Sequence, residues 1–342
     1  MLKNIFKSLD ASFAEKIFAE KKNYFFPDQR GRKIKKIKIN QVSPFWAKKT
    51  CLIKYNLIFE DGSEKIIRGT AKTNFSKEGV WKIMNYLYKN IPAQESPKIP
   101  RPLGYLKNIN LLLYEEVPGI PLVLALEKEN EKIKEKYLKK AAAWLSWLHN
   151  LSPLRKKLPK SAFIGSNGYK KTFKKIEKHI PELKKYFPPQ KESDSIDKIW
   201  QFKKTIIHND FYPGNSIVNR GDFFGIDFDR AGFGPPLMDV AALFSFFDFP
   251  KRIWKNEIPQ KEIKKLQNAF LKEYCLINGL SFDETFKKIH PFLIKSFFDQ
   301  FYYYANFFLE GRRFMNKKTI NSFSLIIKDI LITLNNEICI KK

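Results

Sequence analysis

The hydrophobic pattern changes period along the chain. Ile34, Ile37 and Ile39 lead into Val42 as a first strand, and residues 51–59 predict a second. Asp61-Gly62 is a hairpin turn signal, and residues 65–72 complete a third strand. From Ser76 the period becomes helical, with Val80, Met84 and Leu87 on one face and Trp81 and Tyr88 beside it. Residues 97–102, rich in proline, read as an extended connector. Strands near 104–106 and 110–117 follow, and Pro118-Gly119 breaks the pattern. A short helix over 11–21 and a turn over 27–31 precede the first strand.

Past that break the pattern is mainly helical. Residues 137–151 form an amphipathic helix with Leu138, Ala141, Ala142, Leu145 and Leu148 in phase. The lysine-rich stretch 155–191 reads as a solvated helical insertion. Helical patterns resume over 261–279, 291–309 and 320–334, and one β-rich island, 205–228, lies before them. No internal repeat is present. The pattern predicts an α+β chain: residues 1–116 as a small antiparallel-sheet N-lobe, 117–342 as a larger helical C-lobe.

Composition sharpens this picture in a few places. At 342 residues the chain exceeds the size at which a single core stops growing, so two lobes are expected. An aromatic content of 15%, led by 32 Phe, is that of a folded chain rather than a disordered one. The formal charge of +28 has two readings. It fits an anionic substrate, an anionic membrane surface touched peripherally, or nucleic acid. It also fits a coding bias in which Lys outnumbers Arg while Ile, Asn and Phe are abundant. Arg, the usual reader of phosphate, is scarce, so nucleic acid is the weakest of these partners. Cys51, Cys275 and Cys339 are far apart and lack metal-ligand spacing, which fits a reducing cytoplasm. No run approaches the ~18–20 apolar residues of a membrane span; the densest, 240–247, is too short.

The candidate chemistry sits in the β-rich island. His208-Asn209-Asp210-Phe211-Tyr212-Pro213-Gly214-Asn215 follows an apolar strand and precedes Ser216-Ile217-Val218, an Arg220-Gly221 turn and Phe223-Phe224-Gly225-Ile226-Asp227. Phosphoryl transfer needs an acid to orient a hydroxyl and accept its proton, and oxygen ligands to hold magnesium on the phosphates. Asp210 and Asn215, separated by a Pro-Gly turn, supply such groups, and Asp227 at the end of the hairpin can join them. Hard oxygen donors of this kind suit Mg²⁺.

This segment resembles the catalytic signature of the aminoglycoside/choline phosphotransferase family, with its protein-kinase-like fold. The following Phe228-Asp229-Arg230-Ala231-Gly232-Phe233-Gly234-Pro235-Pro236-Leu237-Met238-Asp239 is similar to that family's next segment. The resemblance implies ATP and Mg²⁺ as cofactors, Asp210 as catalytic base, and Asn215 and Asp227 as metal ligands. It further implies Asp239 as a brace for the catalytic loop and Asp229 as a lining of the substrate pocket. His208 reads as a structural hydrogen-bonding residue. In the N-lobe, Lys72 is the expected phosphate cation, paired with Glu78 in the next helix, and Arg68 is its competitor. The family's first loop normally contains glycine, whereas residues 43–50 here contain none. Ser43, Thr50, Lys48 and Lys49 are the substitutes, and GTP stays open beside ATP. The backbone at Glu115 to Val117 is the expected hinge for adenine.

Two function classes follow. One is a kinase moving the γ-phosphate to a hydroxyl of a small molecule, among which an anionic sugar, a lipid headgroup or an envelope precursor suits the basic chain. The other is a kinase-like module binding nucleic acid or anionic lipid without turnover. Asp210, Asn215 and Asp227 together favour the first.

Overall fold

The computed structural model describes residues 7–26, 32–42, 50–72, 75–92, 97–151, 164–219, 221–247, 259–311 and 317–340. In chain order these form α1 (Ala11–Phe25), β1 (Ile34–Gln41), β2 (Thr50–Phe59), β3 (Glu64–Lys72), α2 (Glu78–Lys89), β4 (Pro97–Lys98), β5 (Pro102–Leu106), β6 (Leu111–Glu115) and β7 (Ile120–Pro121). Then follow α3 (Leu122–Lys128), α4 (Glu131–Asn150), α5 (Ser166–His179), α6 (Gln190–Ser195), β8 (Thr205–Ile207), β9 (Ser216–Asn219), β10 (Asp222–Gly225) and β11 (Gly232–Gly234). Four helices complete the chain: α7 (Leu237–Phe247), α8 (Gln260–Asn278), α9 (Phe282–Gly311) and α10 (Lys317–Ile340).

These elements fall into two compact units. One holds the described parts of Met1–Leu122 together with Asn215–Asp229; the other holds those of Val123–Pro153, Lys160–Gly214 and Arg230–Lys342. The sequence reading assigned all of 117–342 to the second lobe. By packing, the hairpin that follows the Pro-Gly turn joins the first unit instead.

The first unit is built on a five-stranded antiparallel sheet of order β1-β2-β3-β6-β5. In β2, Cys51, Ile53, Tyr55, Leu57 and Phe59 are buried at alternate positions, the signature of a strand with one face on a core. Phe18 and Phe25 of α1 pack on that face, and the Tyr55 hydroxyl donates to the Ser8 carbonyl at 2.6 Å. α2 buries Val80, Ile83, Met84 and Leu87, one stripe at helical spacing. A second sheet, β4-β10-β9-β7, uses strands of only two residues at both edges.

The second unit is mainly helical. α4 buries Leu138, Ala141, Ala142, Trp144, Leu145 and Leu148, and α8 and α9 carry further apolar faces. The stretch expected to be a solvated insertion is different where it is described. Tyr169, Thr172 and Ile176 of α5 are buried, and Tyr169 and Ile176 join a cluster with Phe297, Phe298 and Phe301. The stripe recurs at i, i+3 and i+7 among lysines that mask it in the sequence. α9 also starts at Phe282, earlier than the expected 291, and runs through Pro291. Among the described residues no helix is long and apolar enough to cross a membrane.

Candidate active site

The candidate residues form two groups, one in each unit. In the helical unit, β8 pairs antiparallel with β11, and buried Ile206 and Ile207 carry the chain to His208. Asp239, in the first turn of α7 and fully buried, receives the loop there. Its carboxylate accepts the His208 amide at 2.7 Å and the Asn209 amide at 2.6 Å. His149 Nε2 lies 3.0 Å from the same group, and His149 Nδ1 meets the Tyr274 hydroxyl at 2.9 Å. A carboxylate at a helix N-terminus is also favoured by the helix dipole.

The loop is fastened on its other side by rings. Phe211 stacks on Trp144 at 5.4 Å with 6° between planes, and buried His208 lies edge-on to both. Tyr212 stacks on Phe246 at 5.8 Å, and its ring would stand 2.3 Å from any Cβ at Gly214. Asp210 is therefore held between anchored neighbours while its own side chain stays 31% exposed. Arg230 faces it, with Nη1 3.5 Å from Oδ1.

In the sheet unit, the β9–β10 hairpin presents Asn215 and Asp227 at its two ends. The Ile226 amide donates to the Asn215 carbonyl at 3.0 Å, which fixes the backbone beside both side chains. Asp227 is exposed and takes a left-handed backbone, φ +61°. Two residues on, Asp229 forms a three-member ion cluster. Its Oδ2 is 2.5 Å from Lys72 Nζ, and its Oδ1 pairs with Lys77 Nζ. Burial alone would raise Asp229, but Lys77 and Lys72 outweigh it and hold the carboxyl below its usual range. Burial pushes Lys77 down against the pull of Asp229. Burial and the charges of Asp227 and Asp229 push the Tyr114 phenol well up.

A family model described as "Phosphotransferase enzyme family" matches residues 80–274, more than half of the chain. The chain belongs to that family. No curated protein matches it by sequence at a significant level. Solved structures of similar fold include the amicoumacin kinase hAmiN in complex with AMP-PNP, Ca²⁺ and Ami (16% identity, 97% of this chain and 96% of that one, TM-score 0.61). A choline kinase from Cryptosporidium parvum Iowa II is similar at 13% identity over 96% of this chain and 97% of that one, TM-score 0.62. A Plasmodium vivax ethanolamine kinase is similar at 16% identity over 88% and 83%, TM-score 0.58. The fold is thus protein-kinase-like, and the chain is an enzyme of the phosphotransferase family.

For a phosphotransferase, the positions of the expected residues are informative. Ser43 lies outside the described residues, as does the rest of its loop up to Lys49. Lys72 pairs with Asp229 and not with Glu78, whose carboxylate lies 2.7 Å from Lys82 on the exposed face of α2. The reason is local: Lys82 is one helical turn along from Glu78, an ordinary i,i+4 partner. Arg68 pairs with Glu116, which also faces Lys54 at 3.5 Å. The Glu115 and Glu116 side chains are three-quarters buried, and Glu115 meets Lys65 at 2.9 Å and Arg101 at 3.3 Å. The Glu115 amide donates to the Arg101 carbonyl and the Glu116 amide to Ile66, so within the expected hinge Val117 is the position outside those two sheet bonds. Asp229, expected in the acceptor pocket, is committed to the two lysines.

Sequence reasoning missed His149, Lys77, Arg230 and Asn110. Asn110 is the hub of the sheet unit's group: Oδ1 accepts the Lys77 amide (2.8 Å) and the Tyr105 hydroxyl (3.0 Å), while Nδ2 donates to the carbonyls of Lys72 (2.6 Å) and Phe75 (2.7 Å). Its only sequence signal was a turn-prone residue before a strand. As to metal, among the described residues no three His, Cys or acidic side chains form a cage. Mg²⁺ in kinases is held by one or two protein oxygens plus phosphates and water, and the amide of Asn215 with the exposed carboxylate of Asp227 is a donor set of that kind.

Proposed function

We propose that this phosphotransferase moves the γ-phosphate of ATP to a hydroxyl of a small anionic molecule, in the cytoplasm, with Mg²⁺. The P–O bond to the ADP leaving group breaks as a P–O bond to the acceptor oxygen forms. Asp210 accepts the acceptor's hydroxyl proton; its exposure and its braced neighbours suit that task. Asn215 and Asp227 would hold the metal, which when bound neutralises charge building on the phosphate oxygens. Lys72 is the cation for the bridging phosphates, and the backbone at Val117 the donor for the base. His208 shapes the loop without touching substrate.

The acceptor class rests on one observation: Arg230 stands 3.5 Å from the atom that receives the acceptor's proton. A guanidinium is charged at every working pH and reads carboxylate or phosphate through a planar fork. Beyond Asp210, the carboxylates that act together with Arg230 on Tyr169 and Lys295 are already engaged. Asp299 takes the Tyr169 hydroxyl at 2.6 Å and Lys295 at 2.5 Å, and Asp197 accepts from Ser166 at 2.7 Å. A polycationic acceptor would meet Arg230 head-on.

The test is a panel of hydroxylated compounds matched in size: sugar acids and sugar phosphates, neutral polyols, and amino-bearing polyols. ADP release above background should appear with an anionic acceptor. Arg230→Met should raise KM for that acceptor by about tenfold to a hundredfold, the scale of one charge-assisted contact, with KM for ATP unchanged. Turnover of amino-bearing polyols alone would overturn the acceptor class. Salt-sensitive nucleic-acid or lipid binding without turnover of any compound would overturn the enzyme reading.

A further inference from the structure

Lys77 is the most buried cation of the sheet unit's group, with a side chain 2% exposed, and no step above uses it. Taking an ammonium out of water is costly unless it is paired and hydrogen-bonded. A lysine with no task beyond solubility would sit outside, as most of this chain's lysines can. Two features make the burial deliberate. Lys77 Nζ meets one oxygen of Asp229 while Lys72 Nζ meets the other, so a single carboxylate bridges both cations. Asn110 then clamps the backbone from which both lysines spring: it binds the Lys72 carbonyl, the Phe75 carbonyl and the Lys77 amide. With the Tyr105 hydroxyl it uses two amide hydrogens and two acceptor bonds, the full capacity of two donors with one bond per lone pair. Asn110 holds φ +51°, a conformation that asparagine tolerates better than most residues.

Kinases usually hold the strand lysine by a carboxylate on the following helix. Here the acid of that helix's first turn, Glu78, is turned to Lys82, and the residue just before it is a lysine. We infer that Lys77 is a positioning residue for nucleotide binding: it pins the Asp229 carboxylate, and Asp229 in turn orients Lys72 toward the phosphates. The helix thus contributes a cation where a carboxylate is usual, and the acid comes from the segment just past Asp227. Lys72 remains 27% exposed, and an ammonium has three N–H donors, so holding Asp229 does not exhaust it. Lys77 itself is too buried to reach a ligand and acts through Asp229. Asp229 by this account is neither a metal ligand nor an acceptor contact.

The inference rests on the phosphotransferase reading, and the test separates the two. The full-length chain is titrated calorimetrically with Mg·AMP-PNP, and thermal unfolding of each variant is followed in parallel. Lys77→Met keeps the length and apolar stem of the side chain; it should weaken binding by about tenfold or more, the worth of a lost charge-assisted contact. Asp229→Asn should do the same, and Lys77→Arg should recover most of the loss. If Lys77 works through Asp229, the double variant should bind no more weakly than the weaker single, whereas independent roles would multiply. Glu78→Gln should bind as the wild type does. Undiminished affinity in Lys77→Met, with only a lower unfolding temperature, would reduce Lys77 to packing and overturn the inference. So would multiplicative losses, or an Asp229→Asn variant whose defect vanishes at high Mg²⁺. A wild-type chain that does not bind Mg·AMP-PNP would overturn the phosphotransferase reading and this inference together.

Discussion

Among the described residues the non-glycine residues with a left-handed backbone are Asn110, Asn209 and Asp227, at φ +51°, +58° and +61°. Asn and Asp pay less for that conformation than other side chains do, and each of the three lies beside or within the candidate chemistry. Asn209 turns the chain so that two successive amides, those of His208 and Asn209, point at Asp239. Replacing Asp239 by Ala strands the buried His208 amide, the part-buried Asn209 amide and His149 Nε2. Urea unfolding should register a loss of about 3 kcal/mol; a change within experimental error would mean the loop is braced elsewhere. Asp210, Asn215 and Asp227 stand out as candidates in the sequence because they lie close together along the chain. Lys77, His149 and Asn110 do not, because their partners are distant: Lys77 and Asp229 are 152 residues apart, His149 and Asp239 90, Asn110 and Lys77 33. In a chain this rich in lysine, one more lysine carries no signal.

The β9–β10 hairpin depends on very short elements. β10 pairs in parallel with β4, and β9 pairs with β7 through Ile120 and Pro121. Gly119 leads into β7 at φ +129°, and a Cβ there would stand 2.4 Å from the Val218 carbonyl oxygen. Gly119→Ala therefore meets both a backbone conformation closed to side chains and an immovable main-chain atom. It should cost about 2 kcal/mol or more, read as a lower midpoint in thermal unfolding; an unchanged midpoint would show that β7 is dispensable. The sequence pattern located the five long strands, where alternation has room to declare itself. It could not reveal β4, β7 or β11, since two or three residues carry no period. α9 was cut short at Pro291 because proline favours the first helical turn. An earlier start was written in Ser281-Phe282-Asp283-Glu284, where the Glu284 amide donates to Ser281 Oγ at 3.4 Å, and in the left-handed Gly279 closing α8.

For the molecule as a whole, the family match begins at residue 80, after β3 and Lys72, so the phosphate-cation role proposed for Lys72 lies outside the matched residues and rests on its place at the end of β3. Fold likeness alone, at 11–16% identity, leaves the reaction to be argued from residues such as Asp210, Asn215 and Asp227. Among the described residues, proposed uses for the formal charge of +28 fall at Arg230 and at the Lys72–Asp229–Lys77 cluster; the rest is compatible with composition alone. The most direct measurement is transfer of labelled phosphate from γ-labelled ATP to the best anionic acceptor of the panel, comparing wild type with Asp210→Asn and each with and without EDTA. The wild type with Mg²⁺ should transfer label, EDTA should abolish transfer without lowering the unfolding temperature, and Asp210→Asn should be slower by about 10²–10⁴-fold while still binding Mg·AMP-PNP. Transfer by Asp210→Asn at the wild-type rate would contradict the account.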